Sequence, residues 1–262
     1  MKELHLFTGE KGGVGKSLAT QVFIEYCRKH QVKYKLFDVD RTSPDVGEIY
    51  EPKIYQNGSG VEYQANNEKK GNRIYFSEES EDVFLADELF ATATEQLVIV
   101  NLPAQVSVMV DAWLQRGILD LAKEENVEIV FWFVTDGSPE SINLLSQSLS
   151  TYKERVSTIL VVNEGLSKKA MENINNSSIG QVLENQILAT IKMPLLFLSP
   201  QEKKLIKEKK IPLKEAANRT KKEGLTIIAK QRITQFLRQC HQQLDTLNIL
   251  KQPQPQSSTK TN

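Results

Sequence analysis

The stretch GEKGGVGKS, Gly9 to Ser17, combines residue types that together can hold a phosphate. Glycines let the backbone turn so that successive N–H groups converge on anionic oxygens. A lysine adds charge and a hydroxyl adds a cation ligand: Lys16 is suited to reach β- and γ-phosphates, and Ser17 to ligate Mg²⁺. The stretch follows an apolar run and opens an amphipathic one. A strand should therefore lead into it, and a helix starting near Lys16 should add its positive end. The strict spacing Gly-x-x-x-x-Gly-Lys-Ser/Thr asks for glycine at position 10, where this chain has Glu10.

A second apolar run, KLFDVD, ends on Asp38 and Asp40. Carboxylates at the carboxyl end of a parallel strand, beside a phosphate loop, can reach Mg²⁺ or an attacking water. The Arg-Thr-Ser-Pro-Asp that follows also suits an ordinary Asx-capped turn. Two further runs end on asparagine, LVIVNLPAQ on Asn101 and TILVVNEG on Asn163. The Asn101 amide can accept a hydrogen bond from a metal-bound water but brings no charge, while Asn163 before Glu-Gly also suits an ordinary strand-ending turn. His5, His30 and His241 are far apart and show no ligand spacing, while Phe131, Trp132, Phe133 and Cys27 read as packing.

Positioning these residues requires alternating elements. Leu4 to Thr8, Tyr34 to Asp38, Leu97 to Val100, Val127 to Thr135, Thr158 to Val162 and Ile187 to Ile191 are short apolar runs bounded by polar or turn residues. Each reads as a buried strand. Ser17 to His30, Val106 to Ala122 and Pro139 to Thr151 carry apolar residues at helical spacing. Strands without polar alternation, separated by helices, predict an α/β fold: a doubly wound, mostly parallel sheet with helices on both faces. The expected organisation is one domain over 1–250, with a polar insertion at 53–73, a terminal helix over 225–250 and a disordered tail at 251–262.

By motif wording and order, from Lys2 to about Leu198, the chain resembles the MinD/ParA family of P-loop ATPases. KGGVGKS is similar to that family's deviant Walker A loop, in which the residue before the first lysine need not be glycine. The resemblance implies nucleotide contacts along Lys11, Gly12, Gly13, Val14, Gly15, Lys16, Ser17 and Leu18. It implies that Lys11 is the signature lysine that crosses a dimer interface to the partner's nucleotide. Asp38, in an Asp-x-Asp leading into switch I, would sit near the metal with Ser17. Asp40 would position water, which makes Lys11, Lys16 and Asp40 the catalytic set. LVIVNLPAQ resembles the Walker B strand, with Asn101 where the family has aspartate. Asn163 would read the adenine edge, and Pro194 would pack near base and ribose. FDVDRTSPD, VNLPAQ and VTDGSPES look most like relatives found with plasmid mobilisation and conjugation genes, with partition ATPases close behind. The implied function is a Mg-ATP-dependent dimerising switch with slow ATPase activity, a homodimer when ATP-bound, serving a cargo, relaxase or partition protein. A non-hydrolysing nucleotide-binding scaffold and a metabolic ATP-dependent ligase stay open beside it.

Composition narrows the setting. Lys plus Arg and Asp plus Glu both number 33, so no global charge favours nucleic acid or membrane, and any such binding must be local. Two cysteines exclude a disulfide scaffold and a Cys-rich zinc or iron–sulfur framework. No apolar run approaches the ~18 residues of a membrane span, and no basic-then-apolar leader is present, so the expectation is a cytoplasmic protein. Lys203 to Lys222 is locally basic, with Lys203, Lys207, Lys210 and Lys214 as candidate DNA contacts. The terminal helix is poor in Lys and Arg over Gln235 to Leu250, which disfavours a membrane anchor.

Overall fold

The computed structural model describes residues 2–9, 11–41, 43–52, 74–77, 82–181, 183–219, 224–247 and 249–250. The expected insertion at 53–73, the tail at 251–262, Glu10, Lys221 and Lys222 lie outside the described residues. Among the described residues six strands form one sheet: β1 (Glu3–Thr8), β2 (Tyr34–Asp38), β3 (Leu97–Asn101), β4 (Glu128–Thr135), β5 (Ser157–Asn163) and β6 (Ala189–Met193). The spatial order is β2-β3-β1-β4-β5-β6, and every neighbouring pair is parallel. The chain leaves β1 toward β2 on one side, whereas β3 and β4 lead on toward β4 and β5 on the other. The carboxyl end of β1 is thus the topological switch point, where open α/β sheets hold ligands.

One face is covered by α1 (Lys16–Lys29), α2 (Asp45–Tyr50), α8 (Pro200–Glu208), α9 (Leu213–Asn218) and α10 (Ile227–Leu247). The other carries α3 (Asp87–Ala93), α4 (Ser107–Trp113), α5 (Leu119–Glu125), α6 (Pro139–Tyr152) and α7 (Ala170–Asn175). On the first face Phe7, Phe23 and Trp132 form an aromatic cluster with His5, ring centroids 4.7–6.0 Å apart. His5 is fully buried there, accepting from Trp132 Nε1 at Nδ1 and meeting Glu3 through Nε2. Cutting one of these aromatic rings to alanine costs about 3–5 kcal/mol.

The helix predicted over Val106–Ala122 is broken in two. Gly117 has φ +109° and Arg116 ψ 23°, so a wider turn over Leu114–Ile118 separates α4 from α5. One residue is inserted in the helical phase, which keeps Val110, Trp113, Leu114, Ile118, Leu119 and Ala122 buried on one side. The basic stretch resolves into α8 and α9, which the sequence pattern did not separate; a full capping box of Ser199 and Glu202 starts α8. The terminal helix runs Ile227–Leu247, burying Ala229, Ile233, Phe236, Leu237, Cys240 and Leu244 at helical spacing.

Candidate nucleotide site

The loop from Gly9 to Ser17 stands at the carboxyl end of β1. Gly9 (φ +145°) runs so close to β4 that a Cβ would lie 2.6 Å from the Val134 carbonyl oxygen. At Gly15 (φ +104°), the residue capping α1, a Cβ would lie 2.5 Å from Asn163 Nδ2 and 3.2 Å from Met193 Cε. Side chains other than glycine are excluded at both points by contact as well as by torsion. Val14 is buried between them, while Gly12 and Gly13 are exposed and Ser17 and Leu18 half-buried in the first turn of α1. Lys16 is 8% exposed, and its Nζ donates to the carbonyl oxygens of Gly9 (2.7 Å) and Lys11 (3.5 Å), holding the two ends of the loop together.

Lys11 turns toward β4. Its Nζ donates to Asp136 Oδ2 at 2.7 Å and to Ser138 Oγ at 3.1 Å. The hydrogen bond from Lys11 raises that lysine's pKa. Asp136 is held below the usual carboxylate range because Lys11 and Ser138 together outweigh its partial burial. Asp136 was not singled out from the sequence; its signal is an aspartate at the end of a buried strand, before Gly-Ser-Pro.

Asp38 and Asn101 close the other side, on paired positions of β2 and β3. Asp38 is 1% exposed. Its Oδ1 accepts from Asn101 Nδ2 (2.9 Å) and the Asp40 amide (3.3 Å), and its Oδ2 from the amides of Val46 and Gly47 (2.9 Å each). These four contacts use the lone pairs a carboxylate offers, so in this conformation Asp38 anchors α2 instead of presenting an open oxygen to a cation. Burial pushes its pKa up to about 6, against those hydrogen bonds. The Asn101 amide is likewise engaged, since its Oδ1 accepts from Thr20 Oγ1 at 3.2 Å. Thr20, one turn into α1 and fully buried, was missed by sequence reading because a helical threonine has no motif of its own. Asp40 is half-exposed and its Oδ1 accepts from the Ser43 amide at 3.0 Å. It opens on a cleft of about 600 Å³ lined also by Arg41, Tyr75, Pro103, Gln105 and Met109.

At the end of β5, Asn163 is 5% exposed and reaches back to the loop: Nδ2 donates to the Val14 carbonyl at 2.8 Å, and Oδ1 accepts from the Gly165 amide at 3.1 Å. Gly165 in turn lies against Leu195, so half-buried Pro194 and its loop stand beside Asn163. Asn163 thus touches the loop that carries Lys11 and Lys16, and Asp38 and Asn101 connect to its end through Thr20, whose Oγ1 lies 3.0 Å from the Lys16 carbonyl oxygen. The basic residues do not join the loop. Lys203 and Lys207 are exposed on α8, Lys210 in the turn after it and Lys214 on α9, with Lys207 paired to Asp45 (2.9 Å) and Lys210 to Glu48 (3.1 Å) on α2. Among the described residues no cluster of three His, Cys, Asp or Glu is arranged to hold a metal by itself, and no helix is long and apolar enough to cross a membrane.

No protein-family model matches the chain. It is similar to protein MobD of Acidithiobacillus ferrooxidans, 22% identical over 187 residues, which cover 71% of this chain and 74% of that protein. Among solved structures it is similar to a nucleotide-binding protein of Archaeoglobus fulgidus, solved in complex with ADP. The likeness has a TM-score of 0.46 at 14% identity and covers 80% of this chain and 88% of that one.

Proposed function

We propose that the chain binds Mg-ATP in the loop Gly9–Ser17 and works as a dimerising ATPase switch of the MinD/ParA type, in DNA mobilisation or partition. The carrying observation is the loop itself: it stands at the switch point of a parallel sheet, opens α1 through a left-handed glycine, and holds a buried lysine at its base. Exposed amides of Gly12 and Gly13, the start of α1 and the Lys16 ammonium supply donors for a triphosphate. Ser17 suits Mg²⁺, which takes one or two protein oxygens and leaves the rest to phosphates and water. Bound there, the ion would neutralise charge between the β- and γ-phosphates. Asp40 holds the attacking water, Asp38 and Asn101 fix the strand end that carries Asp40, and Lys11 serves the partner's nucleotide once it leaves Asp136. The motif wording of β2 and β3 together with the MobD likeness supports the mobilisation setting.

Lys16→Ala tests the reading. An ammonium–phosphate contact is a charge-assisted hydrogen bond of about 1.5–3 kcal/mol, so calorimetry should show ATP binding weakened at least ~10-fold with the fold intact. Unchanged affinity would remove the proposal. A second reading, a nucleotide-binding scaffold that does not hydrolyse, is favoured by one observation: both polar atoms of Asn101 are engaged inside the protein. Phosphate release at saturating Mg²⁺ separates the two.

A further inference from the structure

A groove of about 840 Å³ lies between α1, α9 and α10. Its α1 wall starts at Glu25, about 14 Å along the helix from Lys16, so it is distinct from the nucleotide site. Its long wall runs along α10 from Thr234 to Asp245, about 16 Å of helix. Leu237, 4% exposed, and half-buried Ala217 form its apolar floor.

The charges along the groove do not balance. Asp245 is taken by Lys29 (3.5 Å) and His30 (3.4 Å), and Glu215 by Arg219 (2.5 Å). Glu25 is 4% exposed and accepts from the Tyr50 hydroxyl (2.9 Å) and the Lys214 amide (3.0 Å), beside the Arg28 guanidinium. Lys214 and Arg238 are exposed, and neither side chain has an ion-pair partner among the described residues. His241 also lines the groove; it is 8% exposed, and its Nε2 lacks a hydrogen-bond partner among the described residues. Burial first, then the charge of Lys29, lowers its pKa to about 4, so that nitrogen is a neutral acceptor at pH 7.

We propose that this groove docks an acidic, partly apolar peptide segment of a partner protein, its carboxylates on Lys214 and Arg238 and its apolar side chains over Leu237 and Ala217. The length along α10 fits about five residues of extended chain or three turns of helix. The apolar floor and the rim carboxylates of Glu215 and Asp245 are ill suited to a continuous phosphate backbone. Tyr50 ties the groove to α2, since its hydroxyl donates to Glu25 and accepts from the Leu213 amide at 3.4 Å. An occupant would thereby fasten α9 to the helix that Asp38 anchors.

The test pans a phage-displayed random peptide library on the full chain in nucleotide-free, low-salt buffer, so that its outcome is independent of ATP binding. Recovered peptides are synthesised with a fluorescein label and titrated by polarisation. The proposal expects enrichment of Asp and Glu beside Leu, Ile or Phe. It expects at least ~10-fold weaker binding to Lys214→Glu/Arg238→Glu, and a similar loss in Thr234→Trp, which fills the groove without changing charge. Lys203→Glu, the same charge change on α8 outside the groove, should stay within ~2-fold of wild type. Circular dichroism confirms that each variant is folded. A library that yields no binder, binders without acidic enrichment, equal binding to the double variant, or an equal loss in Lys203→Glu would each overturn it.

Discussion

The Lys11 ammonium sits 2.7 Å from the Asp136 carboxylate of its own chain, although the two are 125 residues apart in sequence. A lysine held there is not reaching across to a second subunit. Its release is therefore a cost charged against any dimer that uses it. The pair is about one-third exposed on the lysine side, so solvent screens it and its release is a small cost. Asp136→Asn should shift ATP-analogue-dependent dimerisation to lower protein concentration by up to ~5-fold. Light scattering across a protein dilution series reads this directly. A dimer weaker than wild type would mean that Asp136 orients Lys11 for its task instead of withholding it.

The contact between Asp38 Oδ1 and Asn101 Nδ2 decides what a Walker B-like aspartate would do here. Asn101→Asp would put a second carboxylate against a buried one, and like charges in a shared site push one pKa up strongly. Melting temperature should drop by several degrees at pH 7.5 and by less at pH 5, where one group is protonated. Mg²⁺ should recover part of the loss at pH 7.5 if the pair becomes a cation site. Equal losses at both pH values would place the damage in packing and not in charge.

Asp38 itself sets a pH dependence with a worked sign. Its folded pKa, about 6, is above the model-peptide value of 3.8, so the native state holds the proton more tightly than the unfolded one. Its contribution is fully present below the unfolded value and falls as pH rises through about 6, flattening above. Against a pH-independent Asp38→Asn reference, the advantage of wild type in melting temperature should therefore be larger at pH 4.5 than at pH 7.5. A gap that widens toward pH 7.5 would mean that the hydrogen bonds from Asn101, Gly47 and Asp40 outweigh burial.

Gly15 and Asn163 are coupled by contact. Gly15→Ala meets Asn163 Nδ2 at 2.5 Å and adopts a positive φ, so destabilisation of ~2–4 kcal/mol is expected, with weaker ATP binding. Asn163→Ala removes the obstructing amide. The double variant should lose less than the sum of the singles, by ~1 kcal/mol or more in a denaturation cycle. Additive losses would mean that the torsion, not the amide, causes the cost.

Any DNA binding through Lys207 and Lys210 would have to compete with Asp45 and Glu48, which already pair with them. These join exposed lysines to half-buried carboxylates and, being open to solvent on the lysine side, are worth about 0.2–1 kcal/mol each. Asp45→Asn/Glu48→Gln should raise non-specific DNA affinity up to ~10-fold, while charge reversal at Lys207, Lys210 and Lys214 should abolish it. Filter retention across a salt series reads both, with log affinity falling by ~0.9 per log salt for each phosphate contacted. Retention unaffected by the reversal would leave these lysines as a solvated face.

Much of this architecture is legible in the chain because strands buried on both faces read as plain apolar runs. Each of the six runs is a strand; β2 matches at both ends, and the other five have one or both ends displaced by one or two residues. The loop is legible because glycine and lysine at fixed spacing have few other uses. The rest depends on contacts between distant residues. An aspartate at a strand end can serve a cation or a backbone amide, and only the fold gives Asp38 the amides of Val46 and Gly47. The pairing of Lys207 and Lys210 with α2 spans some 160 residues and leaves no periodic trace. The break at Gly117 hides behind an apolar pattern that continues across it.

The chain has two tryptophans, and the sheet separates them. Trp132 donates to His5 Nδ1 at 2.9 Å inside the layer under α1, while Trp113 donates to Asp87 Oδ1 at 2.9 Å and meets Phe76 edge-on at 5.5 Å in the opposite layer. Each indole is therefore a fluorophore confined to one layer. Phe76 also lines the cleft that Asp40 opens on, so Trp113 emission in a Trp132→Phe protein would report optically on the cleft side, and Trp132 in a Trp113→Phe protein on the α1 side. Comparing the two denaturation curves would reveal whether the two layers melt together or in sequence, without any added label.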